Sequence, residues 1–263
     1  MKLNQAFELL KSAAGNPRDA KLVLENISHN WWSVWRAARQ LRRGVPVSKI
    51  IGKKWFYGME FETNQHTLCP RPDSEILVEA VVGAGLSRPR ILDLGTGTGN
   101  LICAIVKNIP GATGVGIDIS RRAIRVAKRN VKRHNLTDRI QIIRADFADN
   151  NFGCFDIIIS NPPYIALGDE RVDAGAMHDP AGALYAGTDG LDAYRTIAQT
   201  ARRALRPGGK IYLEIGASHP LSPCGLQRDP ASSVIEIFES AGWRHVATHK
   251  DLGGIERVLV FKK

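Results

Sequence analysis

Apolar residues recur at helical spacing through the first forty positions. From Arg90 onward they switch to short apolar runs that alternate with amphipathic stretches. Phe7, Leu10 and Ala14 lie three and four residues apart and predict a helix, which Asn16-Pro17 interrupts before the pattern resumes from Asp19 to Ile27. A third helix is expected from Ser28 to Arg43, ended by Gly44. Trp31, Trp35 and Ala38 are expected on its inner face, against a small bundle, with Arg36, Arg39, Arg42 and Arg43 solvated. The other use of such indoles is stacking on a nucleic acid base. Val47 to Ile51, Trp55-Phe56-Tyr57 and Met59-Glu60-Phe61 read as short strands around Gly52 and Gly58. Cys69-Pro70-Arg71-Pro72 is then extended, and Asp73 or Ser74 is placed to cap a helix from Glu75 to about Gly85.

Beyond that helix, strands are expected at 90–94, 112–118, 140–145, 155–160 and 209–215, with helices at 98–108, 120–135 and 190–205. Such alternation gives an α/β fold with a doubly wound parallel sheet. A helix near 231–241 precedes two last runs, 243–249 and 255–261. Only Asp251-Leu252-Gly253-Gly254 joins them, so they form an antiparallel hairpin. The chain therefore divides into a helical domain (1–45), a β-hairpin linker (46–68) and an α/β domain (69–263) with a seven-stranded, mostly parallel sheet.

Charge adds one thing to this outline. The net charge is +10, and residues 1–60 carry eleven lysines and arginines against four acids, so much of the excess lies outside the α/β domain. A basic balance suits polyanionic surroundings, including proximity to RNA or the ribosome. Arg121, Arg125, Lys128, Arg129 and Lys132 form a further basic ridge opposite Ile124, Ala127 and Val131. No apolar run approaches the ~20 residues of a membrane span, and Met1 to Glu8 lack a signal-peptide core, so a cytoplasmic protein is expected. Cys69, Cys103, Cys154 and Cys224 form no C-x-x-C pair, and neither a disulfide framework nor a metal site is expected.

The candidate chemistry sits at strand ends. Ile91-Leu92-Asp93-Leu94 runs into Gly95-Thr96-Gly97-Thr98-Gly99, a turn whose glycines let the backbone approach a ligand. Asp118 closes the next strand, nineteen residues past Gly99, where an acid holds a ribose diol. Asp146 closes the third beside Phe147; the carboxylate can accept from an adenine amino group and the ring can lie on the base. NAD would also use Asp118. The run is nonetheless G-x-G-x-G rather than G-x-G-x-x-G, and Asp93 before it suits a cationic, amino-acid-bearing ligand. S-adenosyl-L-methionine is the cofactor expected.

Asn161-Pro162-Pro163-Tyr164 follows the strand at 155–160. A conjugated NH2 is a poor nucleophile because its lone pair is delocalised. Asn161 offers a side-chain oxygen and Pro162 a main-chain carbonyl with no competing N–H, so the pair can hold both N–H bonds. Tyr164 can stack on the planar group and, with Pro163, complete a substrate site. Asn161, Pro162 and Tyr164 are thus the expected catalytic residues. Alignment of nitrogen with the methyl group is the main demand.

At these residues the chain resembles the HemK/PrmC family of release factor glutamine methyltransferases. The likeness runs through Pro70-Arg71-Pro72-Asp73-Ser74-Glu75, Asp93 to Gly99, Asp118, Asp146-Phe147, Asn161 to Ile165, Asp179-Pro180 to Leu191, and Asp251 with Glu256-Arg257-Val258. It implies a Rossmann-like class I methyltransferase that acts on the glutamine of the Gly-Gly-Gln motif of peptide chain release factors, in translation termination. It also implies that Gly95 to Gly99, Asp118, Phe147 and Asn161 contact the cofactor, and that the helical domain docks the release factor. Asp179-Pro180 stands where the family has Glu-Pro. The alternatives are a methyltransferase acting on a ribosomal-protein glutamine or a nucleic acid base, and a non-catalytic ribosome-associated module.

Overall fold

In a computed structural model the described residues are 2–149, 152–169, 172, 175–216 and 229–263. Four helices open the chain: α1 (Leu3–Ala14), α2 (Pro17–Asn26), α3 (Trp31–Arg42) and α4 (Val47–Ile51). Asn16 and Asn30 cap α2 and α3, each side-chain oxygen accepting a backbone N–H three residues on at 2.8 Å. Their core is built of Ala6, Leu10, Ala20, Val23, Leu24, Val34, Ala37 and Ala38.

Two expectations fail here. Trp31 and Trp35 do not face inward; they are 52% and 42% exposed, and Trp32 is 75% exposed. The apolar pattern of α3 contains two overlapping stripes, and the bundle buries Val34, Ala37 and Ala38 instead. Alanines at the contacts let the helices approach too closely for an indole. Arg39 lies over the outward Trp35 ring, 5.7 Å from its centroid. Val47–Ile51 is a helix, not a strand. Five apolar residues do not fix a period, and Val47, Ile50 and Ile51 share a helical face packed on the bundle.

β1 (Lys53–Phe56) and β2 (Met59–Glu62) form the expected hairpin, its Tyr57-Gly58 turn having positive φ at both residues. Arg129 holds Glu62 at 2.7 Å and Arg133 holds Glu60 at 2.9 Å, which pins the hairpin to the helix Arg121–Arg133. The basic ridge is thus partly neutralised, with Arg121, Arg125, Lys128 and Lys132 still exposed.

The α/β part runs α5 (Glu75–Val82), β3 (Arg90–Leu94), α6 (Asn100–Asn108), β4 (Thr113–Asp118), α7 (Arg121–Arg133), β5 (Ile140–Arg144), β6 (Phe155–Ser160), α8 (Asp192–Ala204), β7 (Leu205–Glu214), α9 (Pro230–Ser240), β8 (Arg244–Lys250) and β9 (Glu256–Lys262). The strand order is β5-β4-β3-β6-β7-β9-β8; β5 to β7 are parallel, and β9 pairs antiparallel with both β7 and β8. The seven-stranded sheet with its terminal hairpin is as expected. β7 starts four residues early because Leu205 already pairs with Phe155 before a register shift. α5 stops three residues before Gly85. Cys224 lies outside the described residues.

Alternate residues of each strand feed two cores. Ile91, Ile157 and Ile159 pack under α5, α6 and α7, while Leu92, Leu94, Ile158 and Leu213 pack under α8 and α9. The chain reverses direction across the sheet between β3 and β6. A crevice opens there at the carboxyl ends of the strands, where ligands of open α/β sheets bind.

Candidate active site

Both chemical motifs meet in that crevice, at a cavity of about 510 Å³. The glycine turn has φ of 74° at Gly95, 54° at Gly97 and 77° at Gly99. A Cβ on Gly95 would also come within 3.1 Å of Phe147 Cζ, so this position needs glycine for its conformation and for the ring beside it. Asp118 shapes the turn: its Oδ2 accepts from Gly97 N at 3.0 Å and its Oδ1 from Ser120 N at 2.8 Å. Burial raises its pKa, opposed by those two N–H groups.

Gly95, Thr96, Gly97, Thr98, Asp118, Asp146, Phe147, Asn161 and Pro163 line the cavity. Four residues predicted for the site stand outside that lining. Gly99 ends the turn at the N-cap of α6. Asp93 is fully buried beneath the turn, where Thr96 Oγ1 donates to its Oδ2 at 2.6 Å and Oδ1 has no partner among the described residues. Desolvation pushes its pKa up to about 7; the Thr96 bond opposes this and the charge of Asp118 adds to it. Pro162 is buried. Tyr164 stands beside the cavity, its ring filling the space a Cβ on Gly216 would need.

The Asn-Pro-Pro-Tyr segment is held from three directions. Ser160 Oγ donates to Leu94 O at 2.7 Å, joining the tips of β6 and β3. Asn161 Nδ2 donates to Ser74 Oγ at 3.3 Å, and no donor among the described residues reaches Asn161 Oδ1. Past the motif, Ile165 bridges Tyr185, with Ile165 N on Leu184 O at 2.8 Å and Ala186 N on Ile165 O at 2.9 Å. Gly190 closes this return at φ 77°; a Cβ there would fall 2.4 Å from the Tyr164 carbonyl oxygen.

Sequence reasoning missed several of the groups that build this wall. Ser74, read only as a helix cap, makes no capping bond. Glu214 is buried at the tip of β7. A lone acid closing the apolar run Ile211-Tyr212-Leu213 at a strand's carboxyl end was the signal available for it. Lys49 and Asp179 also went unassigned. Asp179 is buried and takes Lys49 Nζ at 2.6 Å, Arg71 Nη2 at 2.9 Å and Cys69 N at 3.1 Å. It thereby fastens the loop after the motif to α4 and to the segment before α5. Arg257 of β9 does the same for Asp73 and Asp251, each at 2.9 Å.

The parallel sheet with its antiparallel close, the glycine turn and the Asn-Pro-Pro-Tyr tip together define a class I methyltransferase. Residues 72–178 match the family model "Methyltransferase small domain". The catalytic domain of hMettl16 has the same fold, at a TM-score of 0.59 and 16% identity over 96% of this chain and 92% of that one. Relatives narrow the class. The release factor glutamine methyltransferase of Agrobacterium fabrum is 40% identical over 233 residues, 84% of this chain and 75% of that protein. A bifunctional methyltransferase of Rickettsia felis is 37% identical over 249 residues, 82% of this chain but only 45% of its own length. The chain belongs to the release factor glutamine methyltransferase family, and its cofactor is S-adenosyl-L-methionine.

The cavity's chemistry fits that cofactor. Three carboxylates, Asp118, Asp146 and Asp192, line it against one guanidinium, Arg71, which Asp179 already holds. This balance favours a sulfonium and an ammonium over a pyrophosphate. Asp118 offers lone pairs to a ribose diol and Phe147 offers a face to adenine. Asp118→Asn is expected to weaken cofactor binding about ten- to a hundredfold, because a charged acceptor is lost and one backbone N–H is left facing a donor. Calorimetry of the free enzyme with S-adenosyl-L-methionine measures it; an unchanged affinity would remove Asp118 from the site.

Proposed function

We propose that this chain methylates the side-chain amide nitrogen of the glutamine in the Gly-Gly-Gln motif of peptide chain release factors. The observation that carries the reading is the state of Asn161. It stands in the cavity wall with its amide nitrogen on Ser74 and its oxygen unclaimed, an acceptor waiting for an N–H. S-adenosyl-L-methionine, when bound, supplies the methyl group. Asn161 Oδ1 takes one amide hydrogen and the Pro162 carbonyl takes the other. Electron density then stays on nitrogen and the lone pair is aimed along one line. Pro163 and Tyr164 bound the planar amide. The nitrogen sheds one proton after gaining its carbon bond, so no base need act beforehand. Gly95 to Gly99, Asp118, Asp146 and Phe147 hold the nucleoside, and Asp93 acts from beneath through Thr96.

The division into 1–45, 46–68 and 69–263 belongs to the same reading, with the first unit docking the protein substrate. Its support is the outer face of α3, where Trp31, Trp32 and Trp35 are exposed and no acid occurs along the helix. A release factor is part of translation, which places the enzyme in the cytoplasm near ribosomes; among the described residues no helix is long and apolar enough to cross a membrane.

The test is mass spectrometry of a co-expressed release factor, with one added methyl expected on that glutamine. Label from the cofactor appearing in DNA or a ribosomal protein instead would overturn the assignment. Trp32→Ala should raise KM for the intact release factor about fivefold and leave a short Gly-Gly-Gln peptide unaffected. Equal KM values for the whole protein would remove the docking role.

A further inference from the structure

At the tip of β7 a carboxylate is buried with little to balance it. Glu214 is 3% exposed, and its Oε2 has no partner among the described residues. Ser74 and Asn161 are the polar side chains beside the carboxylate, and both favour its charged form. Ser74 in turn stands 3.3 Å from Asn161 Nδ2. The charged and titratable groups facing Glu214 come from four elements. They are Asp73 before α5, Tyr164 after β6, Arg257 on β9, and Tyr194 of α8, whose hydroxyl donates to the Glu214 carbonyl at 2.8 Å. Arg257 is the cation among them, and it is already bound by Asp73 and Asp251. The acid is therefore left with the neutral Ser74 and Asn161 side chains beside it.

Packing alone does not account for this. An ionised group buried without a cation costs stability, and a leucine would fill the site at no such cost. What Glu214 adds is an acceptor that fixes which way the Asn161 amide faces. An asparagine offers a donor on one side and an acceptor on the other, and the two orientations are nearly equal in shape. Only one of them gives the substrate NH2 an oxygen.

We propose that Glu214 is a positioning residue for methyl transfer: with Ser74 it holds the nitrogen of Asn161, so that the asparagine oxygen stays available to the substrate amide. This rests on the reading of Asn161 as the amide's acceptor. Burial pushes the Glu214 pKa up to about 7, opposed by the Ser74 bond and Arg257, so its grip is strongest above neutrality. An acid whose folded pKa lies above its unfolded value costs stability as pH rises toward the folded value, and that cost persists above it. Removing the charge therefore does not unfold the protein at pH 8.

Glu214→Leu is expected to keep its thermal midpoint at pH 8, to lower kcat about tenfold and to leave KM for the release factor within about twofold. Glu214→Gln keeps a neutral acceptor. It should run above the leucine variant at a rate that is flat between pH 6 and 8, whereas the wild-type rate climbs through about 7. Asp93 is also held near 7, so a climb that persists in Glu214→Gln assigns the pH dependence to Asp93 and overturns the proposal. Wild-type kcat in Glu214→Leu overturns it equally. A second readout needs no substrate: the Asn161 side-chain NH2 resonances, assigned by their loss in Asn161→Ser, should shift with pH in the wild type and stay fixed in Glu214→Gln. Fixed resonances in the wild type would refute the relay. Failure of the release factor to accept methyl, with those resonances still moving, would refute only the substrate reading.

Discussion

Asn161→Ala should bind S-adenosyl-L-methionine nearly as well as the wild type and transfer methyl about a hundred- to a thousandfold more slowly. The size follows from what the alanine removes. The cavity is lined by Gly95 to Thr98, Asp118 and Phe147, none of which rests on the Asn161 amide. The acceptor of one substrate N–H is lost outright, and the nitrogen can then turn its lone pair away from the methyl group. A preorganised hydrogen-bonding group of this kind is worth several kcal/mol in a closed site. Calorimetry and single-turnover transfer, measured on the same preparation, separate the two effects. Turnover within about threefold of the wild type would show that the asparagine oxygen does not hold the amide.

The second large effect concerns stability. Asp179→Ala is expected to cost about 3–5 kcal/mol, because it leaves the Lys49 ammonium buried beside two carbonyl oxygens and no anion. Lys49 and Asp179 side chains are 4% and 1% exposed, so water does not screen the loss. Arg206→Ala removes a pair of similar length, 2.7 Å to Asp156, yet both partners there are a third to a half exposed. That variant should lose about 0–1 kcal/mol. Urea unfolding of both variants tests the contrast, and equal midpoints would show that the buried ion pair does not hold the loop.

How much of this was legible depended on whether a residue repeats a pattern. The strands and helices from Arg90 onward alternate with clear periods, and the structure reproduces them there to within two residues at nearly every end. The glycine turn was legible because Gly95, Gly97 and Gly99 recur behind a buried strand. The five residues Val47–Ile51 were not, since a run that short fits a strand and one turn of helix equally well. Trp31 and Trp35 misled because a rival stripe of small residues packs more closely. Ser74 and Glu214 carry no periodicity at all. They matter only because α5 and β7 bring them to one corner from 140 residues apart in sequence, and that distance is set by tertiary structure. The loop held by Asp179 was visible only through family likeness.

The placement of β9 has a consequence for the order of assembly. It lies inside the sheet, between β7 and β8, although it is made after both. Its Val258 pairs with Glu214, and its Arg257 anchors Asp73. A nascent chain halted before residue 256 thus carries every glycine of the turn after β3 and the whole Asn-Pro-Pro-Tyr tip, yet the edge of β7 stays open and the corner behind Asn161 has no back wall. The wall behind Asn161 is closed only once β9 has threaded between two strands that precede it in the chain.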